Sequence, residues 1–308
     1  PDEPDHFQRW LGDDGTGFAE RRVYGRYLRE ILEGTEGVTV LETACVAAAR
    51  HDDGWTLRLP NGELVKAAAL VLALGNQPPA MPDPGASLPQ EMFVNDPWSA
   101  DAAAQIARAA EEGNDVLLLG TGLTMVDTLL SLADAGHSGR ILALSRRGLL
   151  PRSHAPHETV PVSLDELPSA SVRSMAAWLR RRSAEVGFRA AVDSLRPHTR
   201  AIWQGWTVAQ QRRFLRHARP WWDVHRHRIA PEVAERVAGL IADGRLEVVA
   251  GRLQSLSPSG ESRIARRGGD AMERRFGLVI NCTGPLGDLR RTCDPLLGQL
   301  MEDGLVRL

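Results

Sequence analysis

Apolar residues along this chain recur first at helical spacing, then in short alternating runs, and then in continuous runs, and each change of period marks a new element. From Arg21 to Leu32 (RRVYGRYLREIL) the spacing predicts a short amphipathic helix. After Gly34 come short β-type runs at Val38–Val46, Trp55–Leu59, Glu63–Lys66 and Ala69–Leu74, broken by Asp52-Asp53-Gly54 and Pro60-Asn61-Gly62. The Asn61-Gly62 pair is a hairpin signal. Ala69–Leu74 is apolar throughout, as a strand buried on both faces would be, and stops at Gly75-Asn76-Gln77-Pro78-Pro79. The Pro-rich stretch from Pro78 to Pro89 then reads as an interdomain connection.

The next segment predicts a βαβ unit: an Ala-rich helix over Ala100–Glu111 leads in, followed by strand Asp115–Leu119, helix Leu123–Asp134 and strand Arg140–Leu144. From about Val160 to Ala238 the pattern is helical and heterogeneous, carrying Trp178, Trp203, Trp206, Trp221 and Trp222 among many arginines and histidines, and reads as an inserted helical layer. Strand patterns return at Leu246–Leu256, Ser262–Arg266 and Phe276–Cys282, the last ending in Thr283-Gly284-Pro285. Helices alternating with short buried strands place the chain in the α/β class.

Composition narrows the partners. With 308 residues, 43% of them hydrophobic, the chain has enough apolar surface for one or two cores. A formal net charge of -2 offers no field for gathering nucleic acid or an acidic membrane surface. The arginines between Arg173 and Arg228 are interleaved with Trp, Ala and Leu at helical spacing, as on a solvated helix face, although the same layer would also suit a protein-interaction surface. Cys45, Cys282 and Cys293 form no C-x-x-C pair, so neither a disulfide framework nor a zinc site is expected, and a reducing, cytoplasmic setting follows. No run reaches the ~18 apolar residues that a membrane span needs. Pro1-Asp2-Glu3-Pro4-Asp5 opens the chain without Met, and Met301 to Leu308 ends it without a stop signal, so extension at both ends is expected.

The strongest chemical signal is the strand-turn-helix Asp115-Val-Leu-Leu-Leu-Gly120-Thr121-Gly122-Leu123-Thr124-Met125-Val126-Asp127. Gly120 would permit the tight turn, and Gly122 would let the N–H groups from Thr121 to Thr124 approach a pyrophosphate at the positive end of the helix. Met125 replaces the third glycine of G-x-G-x-x-G, which implies a wider helix–strand separation. At the end of the next strand stands Ser145-Arg146-Arg147 where an acidic residue would hold the ribose of NAD, so the pair of guanidinium groups favours the 2′-phosphate of NADP. A structural turn and a solvated arginine pair are the competing explanations.

Several segments in order then make the chain resemble the FAD/NAD(P)-binding flavoprotein oxidoreductases, flavin-monooxygenase-like, and within them a mostly uncharacterised bacterial FAD-NAD(P)-binding group. They are Asp5-His6-Phe7 with Trp10-Leu11, Arg22 to Leu28, Leu70–Pro79, Gly120–Asp127, Ser145 to Arg152 and Val279–Pro285. The resemblance implies two Rossmann-like dinucleotide-binding units. An incomplete FAD domain at 1–95 would resume at 283–308, with the NAD(P) domain inserted at 96–282 and carrying the helical insertion at about 160–238. It implies FAD and NADP as cofactors, a small-molecule substrate, and contacts to cofactor from Gly75, Asn76, Thr283, Gly284 and Arg22. The family's first G-x-G-x-x-G, which holds the FAD pyrophosphate, is not in the sequence, nor is the segment that closes the flavin pocket after Pro285. The implied activity is hydride transfer from NADPH to flavin with monooxygenase-like onward chemistry, since no cysteine pair is present to relay electrons to a disulfide. A non-catalytic NADP(H)-binding or partner module is the alternative. No residue is singled out as catalytic; His154 and His157 read as surface-loop histidines, and His225 with His227 lacks a third metal ligand.

Overall fold

The computed structural model describes residues 3, 5–12, 18–82, 88–168 and 171–306. Most of the Pro1–Asp5 lead-in, Leu308 and the 83–87 portion of the Pro-rich stretch lie outside them. The chain forms two compact units, one made of residues 1–73 with 292–308 and the other of residues 74–291.

The first unit contains helices α1 (His6–Leu11) and α2 (Arg21–Glu33) and the antiparallel meander β1 (Ala47–His51), β2 (Gly54–Arg58) and β3 (Leu64–Ala67). Asp52-Asp53 makes the two-residue turn from His51 to Gly54, and Asn61-Gly62 turns β2 into β3 as the sequence predicts. Aromatic rings join α1 to α2: Phe7 lies 5.0 Å from both Tyr24 and Tyr27, and His6 Nδ1 is 2.9 Å from the Tyr27 hydroxyl. Residues 292–306 return to this unit with the last helix, Pro295–Glu302 (α10 in chain order), whose Leu296 and Leu300 pack on Ala48. The Gln299 amide serves the free edge of β1, accepting from Ala48 N–H at 2.9 Å and donating to Ala48 C=O at 3.1 Å. That exchange satisfies both backbone groups of a residue on the outer edge of β1, where the meander adds no further strand.

The second unit is a seven-stranded sheet with a helical layer. In chain order it holds β4 (Phe93–Val94), α3 (Ala100–Glu112), β5 (Val116–Leu119), α4 (Leu123–Asp134), β6 (Ile141–Ser145), α5 (Val172–Ser194), α6 (Thr199–Gly205), α7 (Val208–Arg213), α8 (Arg219–Arg226) and α9 (Pro231–Ala242). The strands β7 (Leu246–Leu256), β8 (Glu261–Arg266), β9 (Met272–Arg275) and β10 (Leu278–Asn281) follow. The spatial order is β4-β10-β5-β6-β7-β8-β9, parallel from β4 to β7 and antiparallel through β8 and β9. Val116, Leu118, Ile141 and Ala143 join one core with Met125, Leu129 and Leu132 of α4. Leu117, Leu119, Leu142 and Leu144 join a second core with Ile264, Phe276 and Val279. Burial on both faces is why these strands read as continuous apolar runs rather than alternating ones. The inserted layer has its own core around Val162, Val172, Met175, Leu195 and Trp206, and α5 is interrupted at Gly187.

Two expected strands are absent. Val38–Val46 is irregular, because β2 offers partners only as far as Arg58, and that end is taken by a single bond from Val46 N–H. Ala69–Leu74 is irregular too, and Val71 is 84% exposed rather than buried: neither sheet pairs with this run, and an apolar run without partners for its N–H and C=O groups does not become a strand. The divisions after Ala73 and Arg291 also fall away from the expected 95 and 282. Pairing of Phe93–Val94 with β10 draws the segment before it into the second unit, and Leu286 N–H donating to Gln77 C=O (3.3 Å) keeps the stretch after Asn281 there. A parallel sheet is present once among the described residues, in the second unit; the meander and helices make up the first.

Cys282 follows β10 and is buried; burial pushes its thiol up to about 12, with the hydrogen bond to Thr128 Oγ1 (3.6 Å) acting the other way. Iodoacetamide at pH 8 should therefore label exposed Cys293 in the native protein and reach Cys282 only after unfolding. Peptide mapping checks this, and native labelling of Cys282 would contradict the packing at the end of β10.

Candidate functional site

The site forms where the carboxyl ends of β5, β6 and β10 meet, the place where open α/β sheets present a crevice. β5 ends at Gly120, whose φ of +119° and position against Cys282 both exclude a side chain: a Cβ there would stand 2.3 Å from the Cys282 carbonyl oxygen. Gly120 thus allows β5 and β10 to approach, a stronger reason than the turn alone. Gly122 is different. It is the N-cap of α4, is exposed, has φ of -88°, and a Cβ on it would meet nothing within 4 Å.

α4 begins without a side-chain cap and without an acidic residue in its first turn. Its leading N–H groups, including those of Leu123 and Thr124, therefore lack a capping side chain and carry the positive end of a 12-residue helix. Leu123 packs partly on the core, Thr124 C=O accepts from Thr128 Oγ1 at 2.8 Å, and Met125, in the place of a third glycine, is wholly buried.

Thr121 and Ser145, expected to touch cofactor, have their hydroxyls engaged inside the protein. Thr121 Oγ1 lies 2.9 Å from Ser145 Oγ and donates to Leu149 C=O at 2.6 Å, while Ser145 Oγ accepts from Gly148 N–H at 3.0 Å. The trio ties the β5–α4 turn to the loop after β6, so these side chains fix the turn's shape. Arg146, on that loop, is exposed and has no ion-pair partner among the described residues, whereas Arg147 is half-buried with its guanidinium carbon 5.9 Å from the centre of the Trp221 ring.

Gly75 and Asn76 are exposed, Thr283 is exposed and Gly284 half-buried. The two loops they lie on run together: Leu286 N–H bonds to Gln77, and Asn281 Nδ2 donates to Ala80 C=O (3.0 Å) and to Asn95 Oδ1 (2.9 Å). Asn281 Oδ1 in turn accepts from the N–H and hydroxyl of Thr283. This fully buried asparagine organises the loops and was visible in the sequence only as the first letter of Asn-Cys-Thr-Gly. Arg22 belongs to the first unit, is exposed and pairs with Glu20.

His154 and His157 are not loosely solvated. Both are half-buried, and His157 Nε2 is 2.8 Å from Asp193 Oδ2. Arg228, from the stretch expected to be a solvated face, is 6% exposed and binds both Asp193 oxygens at 2.8 and 2.6 Å; Arg196 Nε adds a third cationic bond at 2.8 Å. Burial and then neighbouring Arg228 hold the His154 imidazole below its ordinary range. Among the described residues no group of three or more His, Cys, Asp or Glu is arranged to hold a metal ion, and no helix is long and apolar enough to cross a membrane.

Residues 1–77 match the family model described as FAD-NAD(P)-binding. No curated protein matches the sequence. The fold resembles that of the reduced form of ornithine hydroxylase PvdA from Pseudomonas aeruginosa, at 16% identity over 98% of this chain and 66% of that one, TM-score 0.55. It also resembles L-lysine 6-monooxygenase from Pseudomonas syringae (16% identity, 98% and 65% covered, TM-score 0.57). A third similar structure is the ornithine N-hydroxylase of Kutzneria sp. 744, KtzI-FADred-NADP+-L-orn (14% identity, 98% and 66% covered, TM-score 0.54). The chain spans 65–66% of the length of these proteins. At such identities the likeness establishes a shared fold.

Proposed function

We propose that the chain acts as an FAD-dependent NAD(P)H oxidoreductase, monooxygenase-like, on a small-molecule substrate, with NADPH held by the second unit. The observation that carries this reading is the pairing of an uncapped, open helix start at Gly122 with the guanidinium of Arg146, which follows the neighbouring strand and has no ion-pair partner among the described residues. The N–H groups of Leu123 and Thr124 would bind the pyrophosphate, and Arg146 the 2′-phosphate. Thr121, Ser145 and Leu149 hold those two elements in register, and Asn281 holds the loops bearing Gly75, Asn76, Thr283 and Gly284. Both of these loops place an exposed backbone with room for close approach, which fits a flavin lying against them. Bound FAD would supply hydride acceptance from NADPH and reaction with O₂. The matched FAD-NAD(P)-binding region and the FAD and NADP+ named for the Kutzneria structure support this pair of cofactors.

The purified protein should be yellow, and its flavin absorbance should bleach anaerobically on adding NADPH. A colourless protein that binds NADPH without oxidising it would instead make the chain a non-catalytic nucleotide-binding module. Gly122→Asp and Arg146→Glu each place a negative charge against a phosphate, and each should weaken NADPH binding tenfold or more, about 1.4 kcal/mol. Unchanged affinity in both variants, measured by calorimetric titration, would refute this site.

A further inference from the structure

The loop that follows β6 is held by the helical layer as well as by the sheet. Arg152 N–H donates to Val224 C=O at 2.9 Å, Ile229 N–H donates to Arg152 C=O at 3.0 Å, and His154 N–H donates to Ile229 C=O at 2.8 Å. These bonds dock the end of α8 on the nucleotide-loop segment. Trp221 and Trp222 stand side by side at the start of that helix with opposite environments. Trp222 packs against the core of the layer, whereas Trp221 is 47% exposed and meets Arg147.

A guanidinium within about 6 Å of an indole centre is attracted to the negative face of the ring. That contact directs Arg147 toward Trp221 and leaves Arg146 without a partner among the described residues. The two arginines, adjacent in sequence, therefore do different things. A large aromatic surface left exposed against Arg147, whose chain neighbour Arg146 follows the strand next to the glycine turn, suits a nucleobase, because every base has a flat π face that stacks on indole.

We propose that Trp221 is the adenine-stacking surface of the dinucleotide site, with Arg147 bracing the ring and Arg146 selecting the 2′-phosphate. This rests on the NADP(H) reading above. It makes the inserted helical layer a contributor to nucleotide recognition, through a residue far in sequence from the glycine turn.

The test is titration of the intact protein with 2′,5′-ADP and with 5′-AMP, followed by calorimetry and by tryptophan emission. Stacking should quench part of the emission of the wild-type protein. Trp221→Phe keeps a stacking ring, so its affinity should stay within about threefold while the quench is lost. Trp221→Leu should weaken both ligands about tenfold. Arg146→Ala should weaken 2′,5′-ADP about tenfold and leave 5′-AMP unchanged, since only the former carries the 2′-phosphate. If the wild-type protein binds 2′,5′-ADP but Trp221→Leu binds it equally well, or the quench survives in Trp221→Phe, Trp221 is not the stacking surface and the NADP(H) reading stands. If the wild-type protein binds neither ligand, the NADP(H) reading falls, and this inference with it.

Discussion

Asp193→Ala is expected to destabilise the second unit by about 3–5 kcal/mol, because it strands a buried cation. Arg228 is 6% exposed and directs two bonds to the Asp193 carboxylate, with Arg196 and His157 bound to the same group. Removing the carboxylate leaves Arg228 facing Arg196 and the imidazoles of His154 and His157 without a counter-charge. Asp193→Asn, which keeps an acceptor but no charge, should lose less. Urea unfolding at pH 7 measures both, and a loss below about 1 kcal/mol for the alanine variant would show that the cluster is solvated after all.

The same cluster sets a pH dependence. Burial by itself would raise the Asp193 carboxyl; the bonds from Arg228, with Arg196 and His157, outweigh it and hold the group below its ordinary 3.8. A carboxyl whose folded value is depressed releases its proton more readily folded than unfolded. Its stabilisation is therefore present above the unfolded value and disappears as pH falls through the folded one. The stability gap between wild type and Asp193→Ala should be full at pH 6 and shrink below about pH 4.

Gly120→Ala is the second large effect, and it separates two glycines that the sequence presents as one motif. An alanine Cβ would stand 2.3 Å from the Cys282 oxygen, 2.7 Å from its carbonyl carbon and 3.2 Å from Thr283 N, all backbone atoms. None of them is free to retreat, since Cys282 N–H is bonded to Leu119 C=O at 2.8 Å and Gly120 N–H to Leu144 C=O at 2.7 Å. Steric overlap and the positive φ together should cost roughly 3 kcal/mol or more. Gly122→Ala, in open space at negative φ, should cost no more than about 1 kcal/mol as a poorer N-cap residue and act on nucleotide affinity as well. Equal stability of the two variants would mean that β5 and β10 are not in close contact at their ends.

Local pattern was sufficient wherever an element's own residues dictate its burial. Leu123–Asp134 and Leu246–Leu256 have the bounds their periodicity implies, and the apolar runs of β5, β6 and β10 end at the turns their glycines and Ser145 announce. The glycine turn and the α/β class were legible for the same reason. A strand needs partners as well as composition, so Val38–Val46 and Ala69–Leu74 could not be judged from their own letters, and α1, β1, β4, β9 and α10 went unseen. The site divides along the same line. Sequence alone determined that a strand, an open glycine turn and a helix start come together, followed by paired arginines. Only the tertiary structure decided that Gly120 answers to Cys282, that Thr121 and Ser145 lock to each other, that Asp193 gathers Arg228, Arg196 and His157, and that Arg147 turns to Trp221. Apart from Asp193 with Arg196, three residues apart, these contacts join residues well apart in the chain, and folding sets their separation by packing whole elements, so neither partner's local sequence encodes it.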